Sequence, residues 1–187
     1  MRDYPVTLNL VGKKVVIVGG GRIALRKLKG LLDCGANLKV VSPDIHSDIK
    51  QYVDSDNITL VERAVRECDI HNAFLIIVAT NSYEVNEFVV KHAEDNQLVN
   101  ASHQADRGNV SLPATLRRGR LVISVFTGGA SPLLAKKIRD DLSLQYDQSY
   151  GQYVESLYKK RLEIKNNNMC ESDKKDILEK AMNKTFL

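Results

Sequence analysis

The stretch VVIVGGGRIALRK, residues 15–27, is an apolar run that stops at three glycines and resumes as an amphipathic, basic segment. KKVVIVGG reads as a buried strand. RIALRKLKGLLDCG reads as a helix whose Ile23, Leu25, Leu28, Leu31 and Leu32 give a mostly apolar face, with Gly35 expected at its C-cap. Between them, Gly19-x-Gly21-x-x-Ala24 matches the dinucleotide fingerprint G-x-G-x-x-G/A in its required strand, turn and helix setting. The first glycine permits a tight turn, the second lets backbone amides approach a pyrophosphate, and a small third residue lets helix pack close on strand. The helix N-terminus adds unpaired N–H groups and a partial positive charge. A purely structural turn is the rival reading of the glycines alone; the strand-helix-strand unit around them favours a nucleotide.

Downstream the pattern repeats. NLKVVSP reads as a second strand, DIHSDIKQYVDSD as a second helix opened by Asp44 as N-cap, and ITLVERA as a third strand. AFLIIVATN, SYEVNEFVVKHAEDN and QLVNASH follow as strand, helix and strand; QADRGNVSLPATLRR reads as a loop and GRLVISVFTGG as a further strand. Strands alternating with helices imply a parallel sheet covered on both faces, a doubly wound, Rossmann-like α/β fold. After SPLLAKKIRDDL the sequence turns polar, tyrosine-containing and helical, as a small appended region.

The strand ends carry the candidate ligand contacts. An acidic residue at the end of the second strand binds ribose hydroxyls in NAD sites, and here the strand ends Val41-Ser42-Pro43-Asp44. Asp44 comes a few residues late, so a helix-capping role is the alternative. No arginine or lysine follows closely to take a 2′-phosphate, which favours NAD over NADP. Thr80 and Asn81 end the fourth strand at the same edge; capping is the alternative for Asn81.

Composition sets the bounds. The 187 residues are 43% hydrophobic and 27% charged, as in a globular chain. The longest apolar runs fall far short of the roughly 20 residues a membrane helix needs. MRDYPVTLNLVGKK has neither an apolar signal region nor a small-residue cleavage site, so a cytoplasmic address is expected. Cys34, Cys68 and Cys170 include no C-x-x-C pair, so no metal site or disulfide framework is expected. A net charge of +4 without interleaved aromatics or a recognition motif gives no reason to expect a nucleic-acid partner.

Four blocks in order, YPVTLNLVGKKVVIVGGGRIALRKLKGLLDCGANLKVVSP, IIVATNSYEVN, VNASHQADRGNVSLPA and ISVFTGGASPLLAKKIRDDL, resemble the precorrin-2 dehydrogenase / sirohydrochlorin ferrochelatase family of siroheme biosynthesis. The resemblance covers almost the whole chain. It implies an NAD-dependent oxidoreductase acting on a tetrapyrrole, precorrin-2, and in some members insertion of ferrous iron. It also implies a homodimer, with an NAD-binding domain over residues 1–113, a dimerisation and substrate region over 114–145, and a small helical domain over 146–187. Carried over, cofactor contacts fall on Gly19, Gly21, Arg22 and Ile23, on Pro43 and Asp44, and on Thr80 and Asn81.

One position departs from the family. Members with both activities carry an aspartate in a block reading N-V-V-D, where this chain has Asn100-Ala101-Ser102-His103 with Pro113 at the matching distance. His103 therefore stands in the aspartate's place, Asp106 is a nearby carboxylate, and Ser124 and Ser102 are polar neighbours. A histidine, with an unperturbed pKa of about 6.5, can take a proton at neutral pH, so dehydrogenation survives the change. Metal insertion needs counter-charge for a dication, which a neutral imidazole does not supply, so weak or absent chelatase activity is expected. For the polycarboxylate substrate, Arg117, Arg118 and Arg120, and the Thr127–Pro132 turn before a helix, are candidate partners.

Overall fold

The computed structural model describes residues 3–53, 57–101, 107–167 and 169–183, and the chain divides into two compact units that part between Leu112 and Pro113. In the first unit β1 (Lys14–Val18), α1 (Arg22–Lys29), β2 (Asn37–Val41), α2 (Ser47–Lys50), β3 (Ile58–Val61), α3 (Glu67–Ile70), β4 (Leu75–Val78), α4 (Tyr83–His92) and β5 (Leu98–Ala101) follow one another. The five strands are all parallel, in the order β3-β2-β1-β4-β5. This is the doubly wound sheet, with its reversal of winding between β1 and β4.

The apolar runs explain the layering. Side chains alternate across a strand, so a strand covered on both faces is apolar at nearly every position. In β1, Val15 and Ile17 join one core with Ala24 and Leu28 of α1 and Ile49 of α2. Val16 and Val18 face the other core, with Ile70 of α3 and Val89 of α4. Each such fully buried aliphatic side chain contributes about 1.5–3 kcal/mol of transfer free energy.

Several local expectations are corrected. The first helix ends at Gly30 rather than running on to Gly35. Leu31 donates its N–H to the Leu28 carbonyl at 2.8 Å, and a 3-10 turn at Leu32–Cys34 follows, closed by Gly35 at φ 66°. Glycine is a poor helix former, and the tighter turn brings Leu31 into the core. The second helix starts at Ser47, and its cap is His46, whose ring Nδ1 accepts from the Asp48 N–H at 3.1 Å. Asp44 is not the cap, because Ile45 is drawn into the core and the His46 N–H is given to the Gly20 carbonyl at 2.9 Å. α4 is capped by Ser82, whose hydroxyl accepts from the Val85 N–H at 3.3 Å, so Asn81 does not cap it.

The second unit corrects the loop read over QADRGNVSLPATLRR. Its last five residues are β6 (Ala114–Arg118), paired antiparallel with β7 (Leu121–Val125) in a separate two-stranded sheet. Leu116 is the one buried residue of β6, so the period-2 signal was too short to register. The overlooked signal was Gly119-Arg120, a two-residue connection with glycine first, at φ 56°. α5 (Pro132–Gln145), α6 (Ser149–Lys165) and α7 (Glu171–Asn183) complete the unit. Among the described residues no helix is long and apolar enough to cross a membrane.

One buried charge ties three elements of the first unit together. Asp69 of α3 is fully buried, and its carboxylate accepts from Lys39 Nζ of β2 at 2.6 Å, from both terminal nitrogens of Arg63 at 2.6 and 2.9 Å, and from the Arg66 N–H at 2.8 Å. The Arg63 hydrogen bonds, reinforced by Lys39 and the Arg66 amide, outweigh the desolvation of burial and hold this carboxyl far below the usual range. A folded-state pKa below the unfolded one gives stability that is whole above the unfolded value and is lost as pH falls towards the folded one. Asp69→Asn should therefore cost about 2–3 kcal/mol at pH 7 by denaturant unfolding. The difference from the parent chain should shrink as pH drops below about 4.

Candidate functional site

The glycine turn sits at the C-terminal end of β1, and its three glycines do different work. Gly19 has φ 117°, and a Cβ there would overlap the Ala79 carbonyl just past β4. A Cβ on Gly20 would overlap the Asp44 carbonyl and the Ile45 backbone past β2. The middle glycine was not singled out by the fingerprint, and its constraint arises only when the β2–α2 loop folds under it. Gly21 is exposed and open: a Cβ there would meet nothing within 4 Å. The chain is thus clamped on two sides and clear on the third, which is the side a ligand can reach.

Gly21 is also the N-cap of α1, and no side chain caps this helix or places an acidic group in its first turn. The leading N–H groups, those of Arg22 and Ile23 among them, are left to another acceptor. The positive end of the helix dipole lies there without a protein counter-charge, and an anionic phosphate matches both features. Ala24 has no exposed surface and packs with Leu28 in the core, as the small third residue of the fingerprint should. Arg22 is exposed and Ile23 half-buried at the edge of that core.

Pro43 and Asp44 are exposed in the loop beneath Gly20. Since His46 has taken the capping role, the Asp44 carboxylate is not committed to α2. Thr80 and Asn81 follow β4, with Thr80 half-buried and Asn81 exposed. The Thr80 hydroxyl accepts from the Ser82 N–H at 2.9 Å, and the Thr80 carbonyl accepts from Asn86 Nδ2 at 3.4 Å. The sheet order places β1 between β2 and β4, so all these residues gather at one sheet edge. Asn86 was not singled out from the sequence; a lone asparagine on a helix carries no signal until its carbonyl partner is seen.

His103 and Asp106, with Ser102, lie outside the described residues. The flanks of that stretch are well tied: the Asn109 amide accepts from the Val99 N–H at 2.7 Å and donates to the Gln97 carbonyl at 2.8 Å, extending the edge of β5. Arg107 pairs with Glu87 of α4 at 3.1 Å. Ser124 belongs to the second unit, exposed on β7 opposite Thr115 with the two hydroxyls 3.3 Å apart.

In that unit, two of the three candidate arginines are engaged locally. Arg118 donates to the Tyr146 carbonyl at 3.1 Å. Arg120 pairs with Glu155 at 2.6 Å and lies 3.6 Å over the Tyr158 ring. Arg117 is exposed. In the turn before α5, Gly128 and Gly129 take φ 61° and 79°, and the Ser131 hydroxyl caps the helix through the Leu134 N–H at 3.1 Å.

Comparison with known proteins agrees with this geometry. A family model described as putative NAD(P)-binding matches residues 6–114. The chain is 43% identical over 175 residues to the precorrin-2 dehydrogenase of Priestia megaterium, covering 94% of this chain and 87% of that protein. It is 40% identical over 157 residues to the precorrin-2 dehydrogenase of Bacillus subtilis (strain 168), covering 84% and 97%. The solved structure of SirC, a precorrin-2 dehydrogenase, matches with a TM-score of 0.84 at 41% identity, over 97% of this chain and 90% of that one. A likeness of this extent, with the open glycine turn and the doubly wound sheet in place, is one of descent: the chain belongs to the precorrin-2 dehydrogenase family.

Proposed function

We propose that this chain catalyses the NAD-dependent dehydrogenation of precorrin-2 to sirohydrochlorin in siroheme synthesis, in the cytoplasm and as a homodimer. The observation that carries the cofactor half is the uncapped N-terminus of α1 beneath an open Gly21. Gly21, Arg22 and Ile23 hold the pyrophosphate through backbone amides, and Gly19, whose own N–H is donated to the Val41 carbonyl at 2.9 Å, shapes the turn that presents them. Pro43 and Asp44 receive the adenosine ribose, the free carboxylate favouring a 2′-hydroxyl over a 2′-phosphate. Thr80 and Asn81 close the opposite side of the sheet edge.

NAD, when bound, supplies the hydride acceptor that the side chains of this protein lack. The protein's own part is to bind, orient and accept a proton. His103 is the base in this reading, taking the proton released as the ring is oxidised, and Asp106 and Ser124 are the further candidate catalytic residues. The region over 114–145 supplies dimer and substrate contacts, and residues 146–187 form the small helical domain. Support for an interface there comes from exposed apolar side chains: Leu133 of α5 is 78% exposed, Val122 of β7 39%, and Phe126, just past β7, 45%. Chelatase activity is weak or absent, because His103 brings no negative charge to a ferrous ion.

Purified protein incubated anaerobically with precorrin-2 and NAD should yield sirohydrochlorin by absorbance. No NAD-dependent conversion would sink the reading. Adding ferrous or cobaltous ion to sirohydrochlorin should give no protein-dependent metal spectrum, and His103→Ala should lower the dehydrogenase rate by about 100-fold, the lower range for a general base. Gly21→Ala should raise the NAD dissociation constant by at least about tenfold, roughly 1.4 kcal/mol, with the melting temperature little changed. Gly19→Ala, by contrast, should destabilise the fold itself by about 1–3 kcal/mol from backbone strain, before any clash with Ala79 is counted.

A further inference from the structure

The bend between β4 and α4 is braced by a side chain to which neither the fingerprint nor the family comparison gives a role. Asn86 lies on the second turn of α4, half-buried, and its amide nitrogen donates to the Thr80 carbonyl at 3.4 Å. That carbonyl fixes the orientation of the amide, because the reverse orientation would set two acceptors face to face. The consequence is an Asn86 Oδ1 that is buried with no hydrogen-bond partner. A buried acceptor without a donor costs stability, so an apolar residue of similar size would suit this helix position better on packing grounds. The asparagine is therefore not explained by stability, and its one well-defined act is to hold Thr80.

The same bend fixes the Thr80 hydroxyl. Its oxygen accepts from the Ser82 N–H at 2.9 Å, which leaves the hydroxyl proton as a donor to something outside the turn. Ser82 is held in turn by capping α4 and by donating its own hydroxyl to Glu84 at 2.7 Å.

We infer that Asn86 is a positioning residue for the cofactor: by holding the Thr80 carbonyl it presents the Thr80 hydroxyl as an oriented donor to an oxygen of the bound dinucleotide. The inference rests on the cofactor reading above.

The test is steady-state kinetics with NAD varied at saturating precorrin-2, alongside direct NAD titration and thermal melting. Asn86→Leu should raise the KM and dissociation constant for NAD about fivefold to tenfold, more than it lowers kcat, with the KM for precorrin-2 unmoved and the melting temperature unchanged or higher. Thr80→Val should raise the NAD constants similarly, and Thr80→Ser should restore most of the affinity. Unchanged NAD constants in Asn86→Leu, or a fall in melting temperature that accounts for the loss, would overturn the inference, as would Thr80→Val behaving like the parent chain. Gly21→Ala separates the two levels. If it too leaves NAD binding intact, the cofactor site itself is misplaced; if it alone weakens binding, only the role of Asn86 falls.

Discussion

The structure of the first unit depends on a close approach of backbones at the end of β1. Gly19 lies against the Ala79 carbonyl and Gly20 against the Asp44 carbonyl, so the loops after β4 and β2 both close on a segment with no side chains. Any Cβ at either position would push one of those loops away. Because both loops carry candidate ligand contacts, the packing that stabilises the turn also sets the distance between the two walls of the site. Gly21 escapes the constraint, and that is why it is free for a ligand.

From this point the energetics divide in two. The sheet is held by apolar burial on both faces, which is non-directional and tolerant of exchange among similar side chains. The edges are held by directed polar contacts: Asp69 gathering Lys39, Arg63 and the Arg66 amide, Asn109 extending β5, and His46 capping α2 while its backbone reaches Gly20. Substitutions in the first class chiefly move stability. Those in the second move geometry, and at the cofactor edge geometry is what binding reads.

The family relationship and the local chemistry meet at different places. The candidate cofactor edge is built from described groups, the open Gly21 and the uncapped α1 N-terminus among them, so it rests on geometry as well as descent. The proton-handling role proposed for His103 rests on a sequence position, where an imidazole stands in place of the carboxylate expected from the family resemblance. The two are separable in the laboratory, because cofactor affinity and substrate turnover respond to different residues.

The parallel sheet and its helices were legible because a strand buried on both faces is apolar over nearly its whole length, as VVIV and LIIV are, and such runs alternating with helical segments imply a parallel sheet with helices on both faces. The glycine fingerprint was legible because few backbones need glycine at that spacing. What the sequence by itself determined was thus the class of fold and the class of cofactor, both consequences of local periodicity and local backbone freedom. Only the tertiary structure decided that Ile45 enters the core and hands the cap of α2 to His46, that Gly20 is as constrained as Gly19, and that ATLRR pairs with LVISV as a hairpin. It alone joined Asn86 to Thr80 and Lys39 to Asp69, because each is a contact between segments distant in the chain or turns apart on it, and no local pattern encodes the partner.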